Sequence, residues 1–154
     1  KVVKSMIGAH PYEEVAYDIY QLENKFTSVG SGMVGELTTS EDLMDFLSRV
    51  KKTFGAGSLR YTKGEGEVKK VAVCGGSGSF LLGAAIASGA DVFITSDYKY
   101  HQFFDANDKI VIADIGHFES EQYTIGLIAN RLSEKFTTFA VHFTEVNTNP
   151  VNYL

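Results

Sequence analysis

The amino-acid sequence predicts an α/β fold in which a mixed sheet is flanked by helices. Strand-like segments, rich in β-branched residues, alternate with segments whose apolar residues recur at helical spacing. Over residues 58–135 this alternation predicts at least three neighbouring parallel strands. The predicted strands are 15–22, 33–37, 58–62, 68–74, 91–95, 109–114 and 137–146, and the predicted helices are 1–9, 38–54, 80–88, 98–105 and 118–135.

The composition fits a soluble globular domain and argues against several functions. Of the 154 residues, 44% are hydrophobic and 21% charged, which is enough apolar material for a core. The net charge of −5, without a basic face, argues against nucleic acid as a ligand. No apolar run approaches the roughly 18 residues of a membrane-spanning helix and no signal peptide is seen, so we expect a cytoplasmic protein with no membrane partner. Cys74 is the single cysteine and is expected to be buried.

The first residues suggest that the sequence begins inside a secondary-structure element. It starts at Lys1, and Val2, Val3, Met6 and Ile7 form the apolar face of a helix already under way. We therefore expect a further region before Lys1 in the natural protein. The alternative is a complete small protein from which a tag has been removed.

Polar side chains follow three neighbouring predicted strands at the point where each strand ends. The three segments are 75–79, 95–97 and 114–121. In α/β sheets, ligands bind beyond the carboxyl ends of the parallel strands. We therefore expect these segments to form one site, although strand ends are polar in many proteins.

His117 and Glu121 are the candidate metal ligands. If a helix begins near His117, the two side chains lie four residues apart and project from the same face. An imidazole and a carboxylate so placed can share a divalent metal such as zinc, manganese or iron. The alternative is that the acidic residues only complement the dipole of the first helical turn. Two protein ligands also do not complete a metal site, which takes three or four.

Asp97 and His101 are the candidate catalytic residues. Asp97 can orient a histidine ligand or a water molecule, and His101 can serve as a general acid or base because imidazoles exchange protons near neutral pH. The alternative is that Asp97 caps the next helix and His101 is an exposed helical residue. The glycine-rich segment 75–79 leaves two interpretations open, a phosphate site made of backbone N–H groups or a closely packed turn. It is not a P-loop, because no Lys-Ser/Thr pair follows the glycines.

Four motifs occur in an order that makes the sequence recognisable. They are His-Pro-Tyr-Glu-Glu-Val-Ala-Tyr-Asp at 10–18, Val-Ala-Val-Cys-Gly-Gly-Ser-Gly at 71–78, the segment 89–101 that ends in Thr-Ser-Asp-Tyr-Lys-Tyr-His, and Asp-Ile-Gly-His-Phe-Glu-Ser-Glu at 114–121. Together they resemble the NIF-three-like dinuclear metal centre family, whose members are often labelled type-two GTP cyclohydrolase. The resemblance extends over nearly the whole chain.

The resemblance implies a two-lobed α/β core that assembles into a toroidal homo-hexamer, with two divalent metal ions between the lobes. The family's Gly-His-x-x-x-Glu motif, which supplies two of the metal ligands, falls on His117 and Glu121. The family's Thr-Gly-Asp-x-Lys-Tyr-His segment lines the same cleft. It corresponds to residues 95–101, with Ser96 in place of the usual glycine.

The resemblance also divides the chain into two parts. Residues 1–30 resemble the end of an inserted PII/CutA-like domain, a small α+β remnant, and residues 31–154 resemble the C-terminal lobe of the core. In the family, a His-His pair and an aspartate from the N-terminal lobe complete the ligand set, and this chain has no His-His pair. We therefore expect those ligands to be missing with the N-terminal region, and the chain alone to bind metal weakly and to be inactive.

Two functions from different classes follow. The first is a metal-dependent hydrolase that acts on a small molecule or a nucleotide such as GTP, with His117 and Glu121 as ligands, Asp97 behind them and His101 moving protons. The intact protein would then hold two divalent ions of zinc, iron or manganese. The second is a non-catalytic regulator or metal-handling protein. A protein-interaction factor is a weaker third hypothesis.

Overall fold

A computed structural model describes residues 1–24 and 29–154 of the chain. Within these residues, five strands form one mixed sheet, which confirms the predicted fold class. The strands are β1 (Met33–Asp42), β2 (Arg60–Tyr61), β3 (Glu67–Ser77), β4 (Val92–Ser96) and β5 (Val111–Asp114). The helices are α1 (Val2–Ala9), α2 (Leu43–Thr53), α3 (Leu82–Ala87), α4 (His117–Glu121) and α5 (Thr124–Lys135), with 3-10 helices at Ser79–Leu81 and Tyr100–Ala106.

The strand order β1-β3-β4-β5-β2 places three parallel strands at the centre of the sheet. β3 pairs with β4 and β4 with β5 in parallel, as the sequence predicts, while β1 and β2 flank them as antiparallel strands. Because parallel strands end at the same edge of a sheet, the polar segments after β4 and β5 are brought together there.

Apolar layers cover both faces of the sheet. On one face, α2 presents Leu43, Phe46, Leu47 and Val50, whose spacing places them on a single side of the helix. On the other face, α3 and the 3-10 helix Tyr100–Ala106 cover a second buried cluster. That cluster includes Cys74, which is buried as predicted; burial also raises the pKa of its thiol.

The predicted helix start at Thr38 with Glu41 is wrong. β1 continues to Asp42, because the strand resumes its pairing with β3 after a bulge, through Glu41 opposite Val68. The helix cap is instead the carboxylate of Asp42, which accepts the backbone N–H groups of Met44 at 2.7 Å and Asp45 at 3.3 Å.

Two predicted strands, 15–22 and 137–146, are not formed in the described residues. Both segments alternate apolar and polar residues, but a strand also needs a partner for its backbone hydrogen bonds, and neither segment pairs with the sheet. The described residues before the predicted boundary at residue 30, which are 1–24 and 29, therefore contribute one helix, α1, which has no buried residue. The boundary itself stays a prediction.

The predicted helix 118–135 is interrupted. Gln122 and Tyr123 separate α4 from α5. Their side chains make hydrogen bonds to the end of α2. The Gln122 side-chain amide donates to the Phe54 carbonyl, and the Tyr123 hydroxyl donates to the Thr53 carbonyl, each at 2.8 Å. α5 is consequently only 12 residues long. None of the helices in the described ranges is long and apolar enough to cross a membrane.

One face of α5 leaves apolar side chains in solvent. Ile125, Ile128, Leu132 and Phe136 follow one another at helical spacing, and each is between 41% and 53% exposed. Such a stripe normally faces a core or a partner. We name these four residues the α5 stripe.

We expect the chain of 154 residues to self-associate through the α5 stripe. The double substitution Ile128→Gln and Leu132→Gln should lower the mean particle mass measured by light scattering, because it removes apolar surface that drives association. The matched control places two glutamines elsewhere on α5, as Asn130→Gln and Ser133→Gln, and should change nothing. A parent chain that stays monomeric at high concentration would contradict this expectation.

Candidate metal centre

A cleft of about 700 Å³ opens beside the carboxyl ends of β4 and β5. Its wall includes Asp97 just after β4, Asp114 at the end of β5, and His117 and Glu121 from α4. The segment after α5 contributes the rest of one side, including Asn149 and Tyr153. The polar residues after β4 and β5 therefore line one cleft; that this cleft is a functional site stays a prediction.

Helix α4 begins at His117, where the candidate ligand motif requires it. The preceding Gly116 has φ of +95°, a conformation that side chains with a Cβ rarely adopt, and a Cβ there would also collide with the Glu119 carboxylate. The four-residue spacing places the two candidate ligands on one face of the helix. His117 Nε2 lies 3.3 Å from Glu121 Oε2.

Asp97 holds the His117 ring from the opposite side. Its Oδ2 lies 2.6 Å from His117 Nδ1, and because a carboxylate only accepts, Nδ1 is the nitrogen that donates to it. Nε2, on the other side of the ring, faces Glu121. A carboxylate bonded to the far nitrogen of a histidine is the arrangement that orients histidine ligands in metal proteins. Asp97 is itself in the left-handed region, with φ of +60°.

The electrostatics of this trio favour a cation. The hydrogen bond to Asp97 raises the pKa of His117, burial opposes that shift, and the charges of Asp97 and Glu121 add to it. Solvent screens these effects, since the His117 side chain is 52% exposed. An imidazole nitrogen from His117 and the Glu121 carboxylate form a nitrogen–oxygen donor pair that suits zinc, iron or manganese.

Gly76 lies directly against the two candidate ligands, His117 and Glu121. It has φ of +64°, and a Cβ at this position would collide with the Glu121 carboxylate and approach His117 Cε1. Its N–H donates to Ser120 Oγ at 2.8 Å, and that hydroxyl donates to the His117 carbonyl at 2.8 Å. Of the two interpretations of segment 75–79, this packing against α4 favours the close turn. Gly76 and Ser120 belong to segments 75–79 and 114–121, which were expected to share a site, but their contact with each other was not predicted.

His101 does not join the other candidate residues. It lies on the exposed surface of the 3-10 helix Tyr100–Ala106 and is not among the residues that line the cleft. Its role in proton transfer stays a prediction. Asp114 and Glu119 are two buried carboxylates in the wall of the cleft that the sequence analysis did not single out. Their burial could not be predicted from the sequence, because it depends on how the end of β5 and the first turn of α4 are oriented relative to the rest of the protein.

The side chains present in the described residues are of the types that bind a divalent metal, but there are too few of them to complete a site. His117 offers Nε2, Glu121 offers a carboxylate beside it, and Gly76 has no side chain that would collide with either group. Within residues 1–24 and 29–154, however, no group of three or more His, Cys, Asp or Glu side chains is arranged to hold a metal. Since a protein metal site takes three or four ligands, any site here needs ligands from outside these residues.

Ser96 is fully buried, and its hydroxyl has no hydrogen-bond partner in the part of the chain that the structure describes. Removing an unpaired buried hydroxyl relieves a desolvation cost of about 1–3 kcal/mol. We expect Ser96→Ala to leave the free energy of unfolding unchanged or raise it by about 1 kcal/mol in urea denaturation. The neighbouring control Thr95→Val should lower it by about 1 kcal/mol, because Thr95 Oγ1 donates to the Gly76 carbonyl. A clear loss of stability in Ser96→Ala would contradict this expectation.

Comparison with known proteins agrees with this architecture. Residues 3–150 match the family described as Duf34/NIF3 (NGG1p interacting factor 3). The chain is 37% identical over 159 aligned residues to a GTP cyclohydrolase 1 type 2 homolog of Halalkalibacterium halodurans, covering 100% of this chain and 43% of the relative. A protein of the same description from Bacillus subtilis is 34% identical, with 99% of this chain and 42% of the relative covered.

Solved structures show the same fold. A Bacillus cereus protein related to NIF3 superimposes with a TM-score of 0.71 at 35% identity, covering 99% of this chain and 43% of that one. A Staphylococcus aureus protein superimposes with a TM-score of 0.74 at 27% identity, covering 99% and 52%. The chain thus spans less than half the length of the curated relatives described here. The matched family, the sequence identity and the shared fold together place this chain in the Duf34/NIF3 (NGG1p interacting factor 3) family.

Proposed function

We propose that this chain forms one side of a two-metal centre in a metal-dependent hydrolase. The observation that carries the proposal is the arrangement of three side chains at the strand ends. Asp97 fixes the proton on His117 Nδ1, and His117 Nε2 and Glu121 Oε2 lie 3.3 Å apart on one face of α4. His117 and Glu121 are the residues that would hold the metal.

The remaining ligands, in this proposal, come from the region of the longer relatives that this chain does not span. Two facts support it: the described residues offer fewer than three ligands, and the chain covers 43% of a curated relative. Zinc, iron and manganese each suit the donor set. When bound, two such ions would lower the pKa of a water between them and so supply the nucleophile for hydrolysis.

A nucleotide is the proposed substrate class. The curated relatives carry the description GTP cyclohydrolase 1 type 2 homolog. The cleft, at about 700 Å³, is in the range of small-molecule sites. In this proposal the active form is a homo-oligomer, a hexamer by family resemblance, in the cytoplasm.

One observation favours a second candidate, a metal-binding regulator or metal-handling protein without catalysis. His101, the predicted general acid or base, lies outside the cleft. Hydrolysis normally needs a group that transfers protons within reach of the substrate. The second candidate predicts metal binding without turnover.

A turnover assay separates the two candidates. It uses the extended protein, by which we mean this chain with the remaining region of its family members restored. After loading with zinc, iron or manganese, the protein is offered GTP, ATP and simple phosphate esters. The hydrolase proposal predicts metal-dependent turnover that His117→Ala removes and that His142→Ala, a change in the exposed segment after α5, leaves intact. Metal binding with no turnover supports the regulator, and turnover that survives His117→Ala overturns the proposed site.

A further inference from the structure

Asp114 makes hydrogen bonds to both turns that carry the metal-site residues. It ends β5 and is only 4% exposed. Its Oδ2 accepts the N–H of Tyr98 at 3.0 Å, and its Oδ1 accepts the N–H of Gly116 at 3.1 Å. The same carboxylate forms an ion pair with Arg60 of β2.

Each of these N–H groups lies next to a residue of the candidate site. Tyr98 directly follows Asp97, and Gly116 directly precedes His117. Asp97 and Gly116 both have positive φ, at 60° and 95°. Such conformations persist where the surrounding contacts fix them. The two oxygens of Asp114 therefore fix two turns whose side chains meet across the cleft, where Asp97 Oδ2 and His117 Nδ1 are 2.6 Å apart.

Arg60 keeps the Asp114 carboxylate paired in its buried position. Besides the ion pair, its Nη2 donates to the Tyr98 carbonyl at 3.0 Å, and its guanidinium lies 5.3 Å from the centre of the Phe103 ring. The Arg60 guanidinium thus supplies the counter-charge beside a carboxylate that is almost completely buried.

We propose that Asp114 is a positioning residue that keeps Asp97 and His117 in the hydrogen-bonded geometry that metal binding requires. This inference rests on the proposed function. Asp114 does not touch the metal ligands, and it acts by fixing the backbone on both sides of their hydrogen bond. Loss of either N–H bond should let the two turns shift relative to each other, so that His117 no longer keeps its proton on Nδ1.

Asp114→Asn tests the positioning role, because asparagine has the same shape but one acceptor oxygen instead of two. Histidine-selective ¹⁵N NMR of the metal-free chain reports the tautomer of its four histidines, and His117→Ala assigns the relevant signal. At alkaline pH we expect the parent His117 to be mainly the Nδ1–H tautomer. In Asp114→Asn this predominance should be lost in favour of the Nε2–H form that free imidazole prefers.

Two controls separate positioning from stability. Val50→Ala removes buried volume in the α2 core and should leave the His117 tautomer unchanged, although the protein becomes less stable. Arg60→Lys keeps a positive charge beside Asp114 together with both of its N–H bonds, and it should also retain the Nδ1–H form. If Asp114→Asn fails to fold, Asp114→Glu is measured in the same way, and its longer side chain is expected to shift the tautomer too. An unchanged tautomer in the folded Asp114 variant overturns the inference.

A cobalt titration of the extended protein distinguishes this inference from the proposed function. Loss of a group that supports a ligand typically weakens metal binding by about 10–100-fold, and we expect about a tenfold loss for Asp114→Asn. Cobalt binding that survives His117→Ala would reject the metal centre, while the tautomer of the metal-free chain still decides the role of Asp114. Cobalt binding that is lost in His117→Ala but unchanged in Asp114→Asn would reject the positioning role alone.

Discussion

Gly76→Ala is expected to abolish tight metal binding by the extended protein. The new Cβ would occupy the space of the Glu121 carboxylate and press on the His117 ring, so the two ligands could not keep their positions. The left-handed backbone at this residue adds a cost of about 1–2 kcal/mol for any side chain with a Cβ. Metal titration followed by urea denaturation measures both effects.

Gly83→Ala is the matched control for this substitution. Gly83 lies in α3, and a Cβ there meets no other atom within 4 Å. The change should leave metal binding unaltered and raise the free energy of unfolding by about 0.5–1 kcal/mol, because alanine favours a helix over glycine. Normal metal binding in Gly76→Ala would contradict the proposed site, because it would mean that a Cβ at residue 76 does not displace Glu121 or His117.

Asp97→Asn should weaken metal binding by about 10–100-fold, the usual effect of losing the partner of a histidine ligand. An asparagine can present its NH₂ group to His117 Nδ1, which would move the ring proton to Nε2 and block the atom that faces Glu121. The backbone should tolerate the change, because asparagine accepts the left-handed conformation that Asp97 adopts. Competition with a coloured chelator measures the affinity.

Asp105→Asn controls for the loss of one negative charge nearby. Asp105 is exposed on the 3-10 helix Tyr100–Ala106 and lies outside the cleft. It should bind metal as the parent does. If Asp97→Asn and Asp105→Asn lose metal affinity equally, the affinity depends on the net negative charge of the protein and not on the hydrogen bond to His117.

The central part of the fold and the spacing of the two candidate ligands could be predicted because they depend on local pattern. The apolar runs of β3, β4 and β5 and the helices between them indicate parallel strands, whose polar ends must then meet. The spacing of His117 and Glu121 is equally local, since it requires only that a helix begin at His117, and it does. The Asp97–His117 contact follows from the same convergence of strand ends.

The remaining features depend on contacts between distant parts of the chain. Segments 15–22 and 137–146 have the pattern of strands, but the sheet gives them no partner in the described residues. The break at Gln122 is fixed by a carbonyl of α2's end, 68 residues away. Gly76 looks like an ordinary turn glycine in the sequence, and only the approach of α4 shows why a Cβ is not tolerated there.

The metal content of the extended protein, with and without His117→Ala, tests the central claim most directly. Elemental analysis should find about two divalent ions per extended chain, fewer in His117→Ala, and few or none in the chain of 154 residues alone. His142→Ala should retain the parent content. If neither the chain nor the extended protein holds metal after supplementation, or if His117→Ala holds as much as the parent, the cleft between β4, β5 and α4 is not a metal centre.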